Sequence, residues 1–204
     1  MDSREYAKEH KDDFYSHVIA DKHIGSTKDA IFMAGSPGAG KTEVATELLS
    51  FYQNMVIIDA DRFREGFPTY NGANSSEFQS GASWLVGDIF NRVSDEGYSL
   101  LLDGTFALAS ASKNIEKVLK LNYNVSIYYV YQDPMIAWEF VKQREKVEGR
   151  NVPKERFINA YFMARHNLIK VKEKYGDQVE INILFKDFQN QISETHADTE
   201  NIQM

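Results

Sequence analysis

Residues 35–42 of the 204-residue chain read Gly-Ser-Pro-Gly-Ala-Gly-Lys-Thr, the spacing of a phosphate-binding loop. Gly35, Gly38 and Gly40, with Ser36, Pro37 and Ala39 between them, let backbone N–H groups wrap around phosphate oxygens. A helix opening at Lys41 would add its positive N-terminal end. Lys41 is expected to bridge the terminal phosphates and the Thr42 hydroxyl to ligate Mg2+. The cofactor implied is Mg2+ with ATP or GTP as phosphate donor. An apolar run before the loop and a helical pattern after it argue against a chance glycine turn.

Phosphoryl transfer to a hydroxyl needs a carboxylate beside the acceptor oxygen, to orient it and take its proton. Asp59 and Asp61, closing the apolar run Met55–Ile58, are the candidates. Asp59 is expected to end the strand and Asp61 to project from the turn. Asp59 is read as the metal-side carboxylate with Thr42, and either aspartate could instead cap the next helix. Leu101-Leu102-Asp103-Gly104-Thr105 resembles a Walker B strand, so Asp103 competes with Asp59 for the metal. Asp103 is equally a candidate acceptor contact, and an exposed loop aspartate is the bland alternative.

The basic segment from Arg144 to Arg156, followed by Arg165, offers planar cations that could close over a transferring phosphate. Arg150 falls at a break between two helices, where a residue can move; Arg165 is the second candidate. Charge runs on helices are more often solvated faces. The five histidines have no metal-ligand spacing. Tyr70, Trp84 and Phe106 fall toward the acceptor side, where one could stack on a base or sugar.

These residues need a scaffold that gathers them. Ala30–Ala34, Met55–Ile58, Leu100–Leu102, Val125–Tyr131 and Val179–Phe185 are short apolar runs, as buried strands are. Helical patterns separate them: Lys41 to about Tyr52, Phe78 to Glu96, Ser112–Lys120, Pro134 to about Val147, and Asn151–Tyr175. The alternation predicts an α/β, P-loop NTPase fold with a central parallel sheet of about five strands and helices on both faces. Ligands bind beyond the carboxyl ends of strands in such sheets, and those ends carry Gly35, Asp59, Asp61, Asp103 and Thr105.

One domain is expected over 1–204. It comprises a helical N-terminal extension on the outside (1–29), a kinase core (30–188) and a polar, flexible tail (189–204). The net charge of −7 disfavours a surface that coats nucleic acid. The charged N-terminus lacks the apolar core of a signal peptide, no run approaches a membrane span, and there are no cysteines. A cytoplasmic protein is expected.

The stretches GSPGAGKTEVATELL, IDADRFRE, SDEGYSLLLDGTFA and EGRNVPKERF, in this order, resemble the zeta-toxin family of P-loop kinases over roughly residues 28–188. The resemblance implies transfer from ATP or GTP, with UDP-N-acetylglucosamine as candidate acceptor and a paired antitoxin protein as possible partner. By the same resemblance Lys41 and Thr42 match the nucleotide and metal contacts, and Asp61 matches the base. Thr105 matches an acceptor-side threonine, Arg150 the first lid arginine and Arg165, approximately, the second. Two positions depart from the family: Asp103 stands where glutamate is usual, and Ala107 where an arginine contacts the sugar nucleotide.

Overall fold

The computed structural model describes residues 2–52, 54–149 and 151–197. Six strands form one sheet: β1 (Asp29–Ala34), β2 (Val56–Asp59), β3 (Leu100–Asp103), β4 (Asn124–Tyr131), β5 (Val179–Lys186) and β6 (Ile192–His196). Their order across the sheet is β2-β3-β1-β4-β5-β6. The first five run parallel, as the continuous apolar runs predict, and β6 is antiparallel to β5. The five parallel strands are those expected, and the sixth extends the sheet at the β5 edge. It lies within the stretch read as a flexible tail, of which residues 198–204 fall outside the described residues.

Alternation along β1 shows how the sheet holds two cores. Ala30, Phe32 and Ala34 enter one cluster and Ile31 and Met33 the other. The first cluster includes Leu85, Ile89 and Phe90 of α5 (Gln79–Glu96), Ile115 of α6 (Ser110–Lys120) and Leu168 of α8 (Lys154–Tyr175). The second includes Val44 and Ala45 of α3 (Lys41–Phe51). Both faces are therefore covered, with β1 and the loop that follows it held in the middle.

Two further features bear on the site. α7 (Pro134–Glu148) starts where Asp133 accepts hydrogen bonds from the N–H groups of Met135 and Ile136, with proline at the first position. Caps of this kind contribute about 1 kcal/mol. α7 and α8 share a small core of their own, Ala137, Val141 and Phe157 with Trp138 packed on it.

The helical N-terminal extension is two helices, α1 (Ser3–Glu9) and α2 (Lys11–Ile19), and it is built into the domain. Ala7 and Tyr15 are buried in the main core. Tyr6 and Phe14 pack against Phe67 with tilted rings, and Ser3 Oγ donates to the Glu77 carbonyl. The extension thus braces the loop between α4 (Ala60–Glu65) and α5. Among the described residues no helix is long and apolar enough to cross a membrane.

Candidate active site

The loop after β1 is shaped by close approach. Gly38 has φ +76° and Gly40 φ +84°, conformations that strain any L side chain. A Cβ on Gly38 would run into the Ala137 carbonyl of α7; one on Gly40 would lie 2.8 Å from Asn190 Oδ1. The Gly35 N–H donates to the Thr105 carbonyl at 3.2 Å, which ties the loop to the segment after β3. α3 begins at Lys41 with no side-chain cap, so its first N–H groups are directed at the loop. Ser36 and Ala39 are buried. A cradle that excludes Cβ atoms and ends in an uncapped helix fits a polyphosphate.

Lys41 Nζ donates to the Ser36 carbonyl at 2.8 Å, which folds the ammonium back over the loop. The Thr42 hydroxyl donates to Asp103 Oδ2 at 3.4 Å. The metal expectation pairs Thr42 with Asp59, whereas it is Asp103 that meets the hydroxyl. Asp59 caps α4, its Oδ1 accepting from the Asp61 N–H at 2.8 Å. Among the described residues no three His, Asp or Glu side chains form a cage. A hydroxyl and a neighbouring carboxylate suit Mg2+, which takes its other ligands from phosphate and water.

Asp59 and Asp103 are direct partners in the register of β2 and β3. Burial pushes the Asp59 carboxyl up to about 6, against the hydrogen bond from Asp61 N–H and with further upward pressure from the charges of Asp61 and Asp103. Burial also raises Asp103, opposed by the Lys41 ammonium and reinforced by Asp61. The carboxylates of Asp59, Asp61 and Asp103 act on one another, and the charges of Lys41 and Arg62 partly offset them.

Asp61 itself follows Asp59 by two residues, in the first turn of α4, and is ion-paired with Arg64. Arg64 is 3 % exposed. Nothing in the sequence signals it, since Arg62-Phe63-Arg64-Glu65 reads as a polar helical turn. Thr105 lies in the segment after β3, where its hydroxyl accepts from the Ala107 N–H at 3.4 Å. That segment is clamped from α8: the Asn167 amide donates to the carbonyls of Phe106 (2.9 Å) and Leu108 (3.2 Å). Phe106 packs on Phe32 in the core, and Tyr70 lies edge-on to Phe78.

Arg150 lies outside the described residues. Its neighbour Gly149 ends α7 at φ +72° and abuts Ala73, a Cβ there falling 3.1 Å from Ala73 Cα. The end of α7 therefore meets the loop between α4 and α5. Arg165 sits on α8, where its charge acts on the Tyr129 and Tyr161 phenols against the upward effect of their burial. Tyr129 belongs to β4, next to β1.

The β5–β6 hairpin is a second feature without a trace in the sequence pattern. Its loop reaches Gly40 through Asn190, and Lys186 Nζ donates to the Asn190 carbonyl at 2.8 Å. Beside it is a cavity of about 420 Å3 bounded by Glu43, Val44, Glu47, Lys186 and residues 189–192.

The zeta toxin family model matches residues 15–198. The chain is 30 % identical over 118 residues to Toxin PezT of Streptococcus pneumoniae serotype 4, covering 53 % of this chain and 47 % of that protein. Toxin zeta of Streptococcus pyogenes is 24 % identical over 169 residues, 69 % of this chain and 59 % of the relative. The chain thus spans about half the length of the curated relatives it matches. Among solved structures, one from the PezAT chromosomal toxin-antitoxin system of Streptococcus pneumoniae is similar with a TM-score of 0.70 and 22 % identity. The match covers 93 % of this chain and 79 % of that one. The AvrRxo1-ORF1:-ORF2 complex also has a TM-score of 0.70, at 14 % identity, over 95 % and 65 % of the two chains. The chain belongs to the zeta toxin family.

Proposed function

We propose that the chain is a Mg2+-dependent kinase that moves the terminal phosphoryl group of ATP or GTP to a small-molecule hydroxyl. UDP-N-acetylglucosamine is the first candidate acceptor, and a paired antitoxin protein the candidate partner, in a cytoplasmic setting. The observation that carries the reading is the Thr42–Asp103 hydrogen bond. It joins the phosphate loop to the sheet edge bearing Asp59 and, at the start of α4, Asp61.

When bound, the Mg2+–nucleotide supplies an electrophilic phosphorus with its charge partly neutralised. The backbone N–H groups at 38–42 and the N-terminus of α3 bind and orient the phosphate oxygens. Lys41, released from the Ser36 carbonyl, holds the terminal phosphates. Thr42 and Asp103 would hold the metal, with Asp59 adding to the negative field. A carboxylate oxygen of Asp61 accepts the proton of the attacking hydroxyl. Thr105 positions the acceptor; Arg150 and Arg165 offset charge on the transferring group. Ala107, in place of a side chain able to bind an anionic acceptor, favours a second reading in which the acceptor is another hydroxyl compound.

Protein, ATP–Mg2+ and UDP-N-acetylglucosamine are incubated and the sugar nucleotide is weighed by mass spectrometry. A singly phosphorylated sugar nucleotide is expected. Its absence, with slow ATP turnover alone, overturns the acceptor and leaves the kinase reading to be tried on other hydroxyl compounds.

A further inference from the structure

We infer that Arg64 is the positioning residue that aims the Asp61 carboxylate, an inference that rests on the proposed role of Asp61 as base. α4 has only six residues, Ala60–Glu65. A helix this short does not hold its own geometry, because nucleation is unfavourable and few internal hydrogen bonds form. The direction of Asp61 must therefore be set from outside α4.

Arg64 provides the tie. One arm of its guanidinium, Nη1, bonds Asp61 Oδ1, three residues back on the same side of the helix. Nη2 donates to Gln79 Oε1 at 2.6 Å. The Gln79 amide is fixed in turn, because its Nε2 donates to Ser83 Oγ at 2.7 Å. Gln79 and Ser83 stand one turn apart at the start of α5, whose Ala82, Leu85, Ile89, Phe90 and Val93 are buried. Asp61 is thus referenced to an 18-residue helix anchored in the core rather than to the turn that carries it.

The burial of Arg64 argues for geometry over stability. Its side chain is 4 % exposed, while that of Asp61 is 37 % exposed. Arg64 Nε is buried with no hydrogen-bond partner among the described residues. A buried cation with one N–H unsatisfied is a poor route to stability, since apolar replacements of such pairs are often neutral or stabilising. A planar, permanently charged fork is, however, the side chain that can hold a carboxylate oxygen and an amide oxygen at once. Lysine, a point charge, cannot fix both directions.

The test compares phosphoryl transfer and nucleotide binding in Asp61→Asn, Arg64→Met, Arg64→Lys and Gln79→Leu, each checked for cooperative thermal unfolding. A misaimed catalytic group costs on the order of 100-fold, so kcat of Arg64→Met should fall by about that factor with KM for ATP within about twofold of wild type. Arg64→Lys should recover part of the loss. Gln79→Leu keeps both charges and cuts only the tie to α5; it should lower kcat by about tenfold, and it serves should Arg64→Met fail to fold. In the Asp61→Asn background, Arg64→Met should add no further loss. Equal losses in both backgrounds, or an unchanged kcat in Gln79→Leu, overturn the positioning role while leaving Asp61 as base. Wild-type transfer by Asp61→Asn overturns the base reading and this one with it. A crystal structure of Arg64→Met or Gln79→Leu decides the matter independently of the acceptor: a displaced Asp61 carboxylate supports the inference, and an unmoved one in the same rotamer overturns it.

Discussion

Asp59 and Asp103 end adjacent parallel strands as direct register partners, and the charge of Asp103 adds to the burial that raises Asp59. The Asp59 carboxyl is held at about 6, well above the ordinary aspartate value of 3.8. A carboxyl with a raised folded-state pKa stabilises the fold only while it is protonated. That contribution is fully present below about pH 4 and is lost as pH rises through about 6. Asp59→Asn keeps an oxygen to accept from the Asp61 N–H and removes the ionisation. The variant should be more stable than wild type at pH 8, by about 2–3 kcal/mol from the size of the shift. The advantage should vanish near pH 4. Thermal melting of both proteins across pH 4–8 checks it; equal melting temperatures at pH 8 would show that Asp59 is not destabilised by its surroundings.

Gly38 predicts a sharper loss. Alanine there meets the Ala137 carbonyl and must also adopt φ near +76°, a region that costs an L residue roughly 1–2 kcal/mol before any clash. Gly38→Ala should lose the nucleotide-induced rise in melting temperature, because the loop can relieve the clash only by moving off α7. Retention of the full ATP-induced shift would refute the close-packed loop as the phosphate cradle.

The readable parts of this molecule are those whose chemistry is local in sequence. The phosphate loop is contiguous, and its neighbouring apolar runs identify β1 and α3 without reference to distant residues. The five parallel strands are legible for the same reason, since strands buried on both faces are apolar throughout. β6 is not: all five of its residues are exposed, and it is held by backbone pairing to β5, which leaves no hydrophobic trace. Arg64 is hidden because a buried arginine in a polar turn looks like a solvated one until α5 packs over it. The choice between Asp59 and Asp103 beside Thr42 depends on side-chain directions at two strand ends, which spacing does not encode.

Thr42 separates metal handling from nucleotide recognition. Thr42→Val removes the hydroxyl that meets Asp103 at 3.4 Å while preserving shape. Thr42→Ser retains it. The valine variant should lose most transfer activity and bind ATP no better with Mg2+ than without, whereas the serine variant should stay within about tenfold of wild type. Isothermal titration with ATP, with and without Mg2+, makes the comparison, and an undiminished Mg2+ effect in Thr42→Val would move the metal to other ligands.

Asn167 bears on the acceptor side. Its amide donates to the carbonyls of Phe106 and Leu108, so α8 holds the segment that carries Thr105 and Ala107. Phe106 has φ +61°, a conformation that this clamp helps maintain in a bulky residue. Asn167→Leu leaves the part-buried Phe106 carbonyl without its donor, at a cost of about 1–3 kcal/mol, while water can replace the donor at the exposed Leu108 carbonyl. Beyond that fall in stability, measured by urea unfolding, KM for the acceptor should rise severalfold and KM for ATP by less, because the clamp holds Phe106 and Leu108 directly and reaches the loop at 35–42 only through the Gly35–Thr105 bond. Were KM for ATP to rise in step with that for the acceptor, the segment after β3 would belong to the nucleotide site instead.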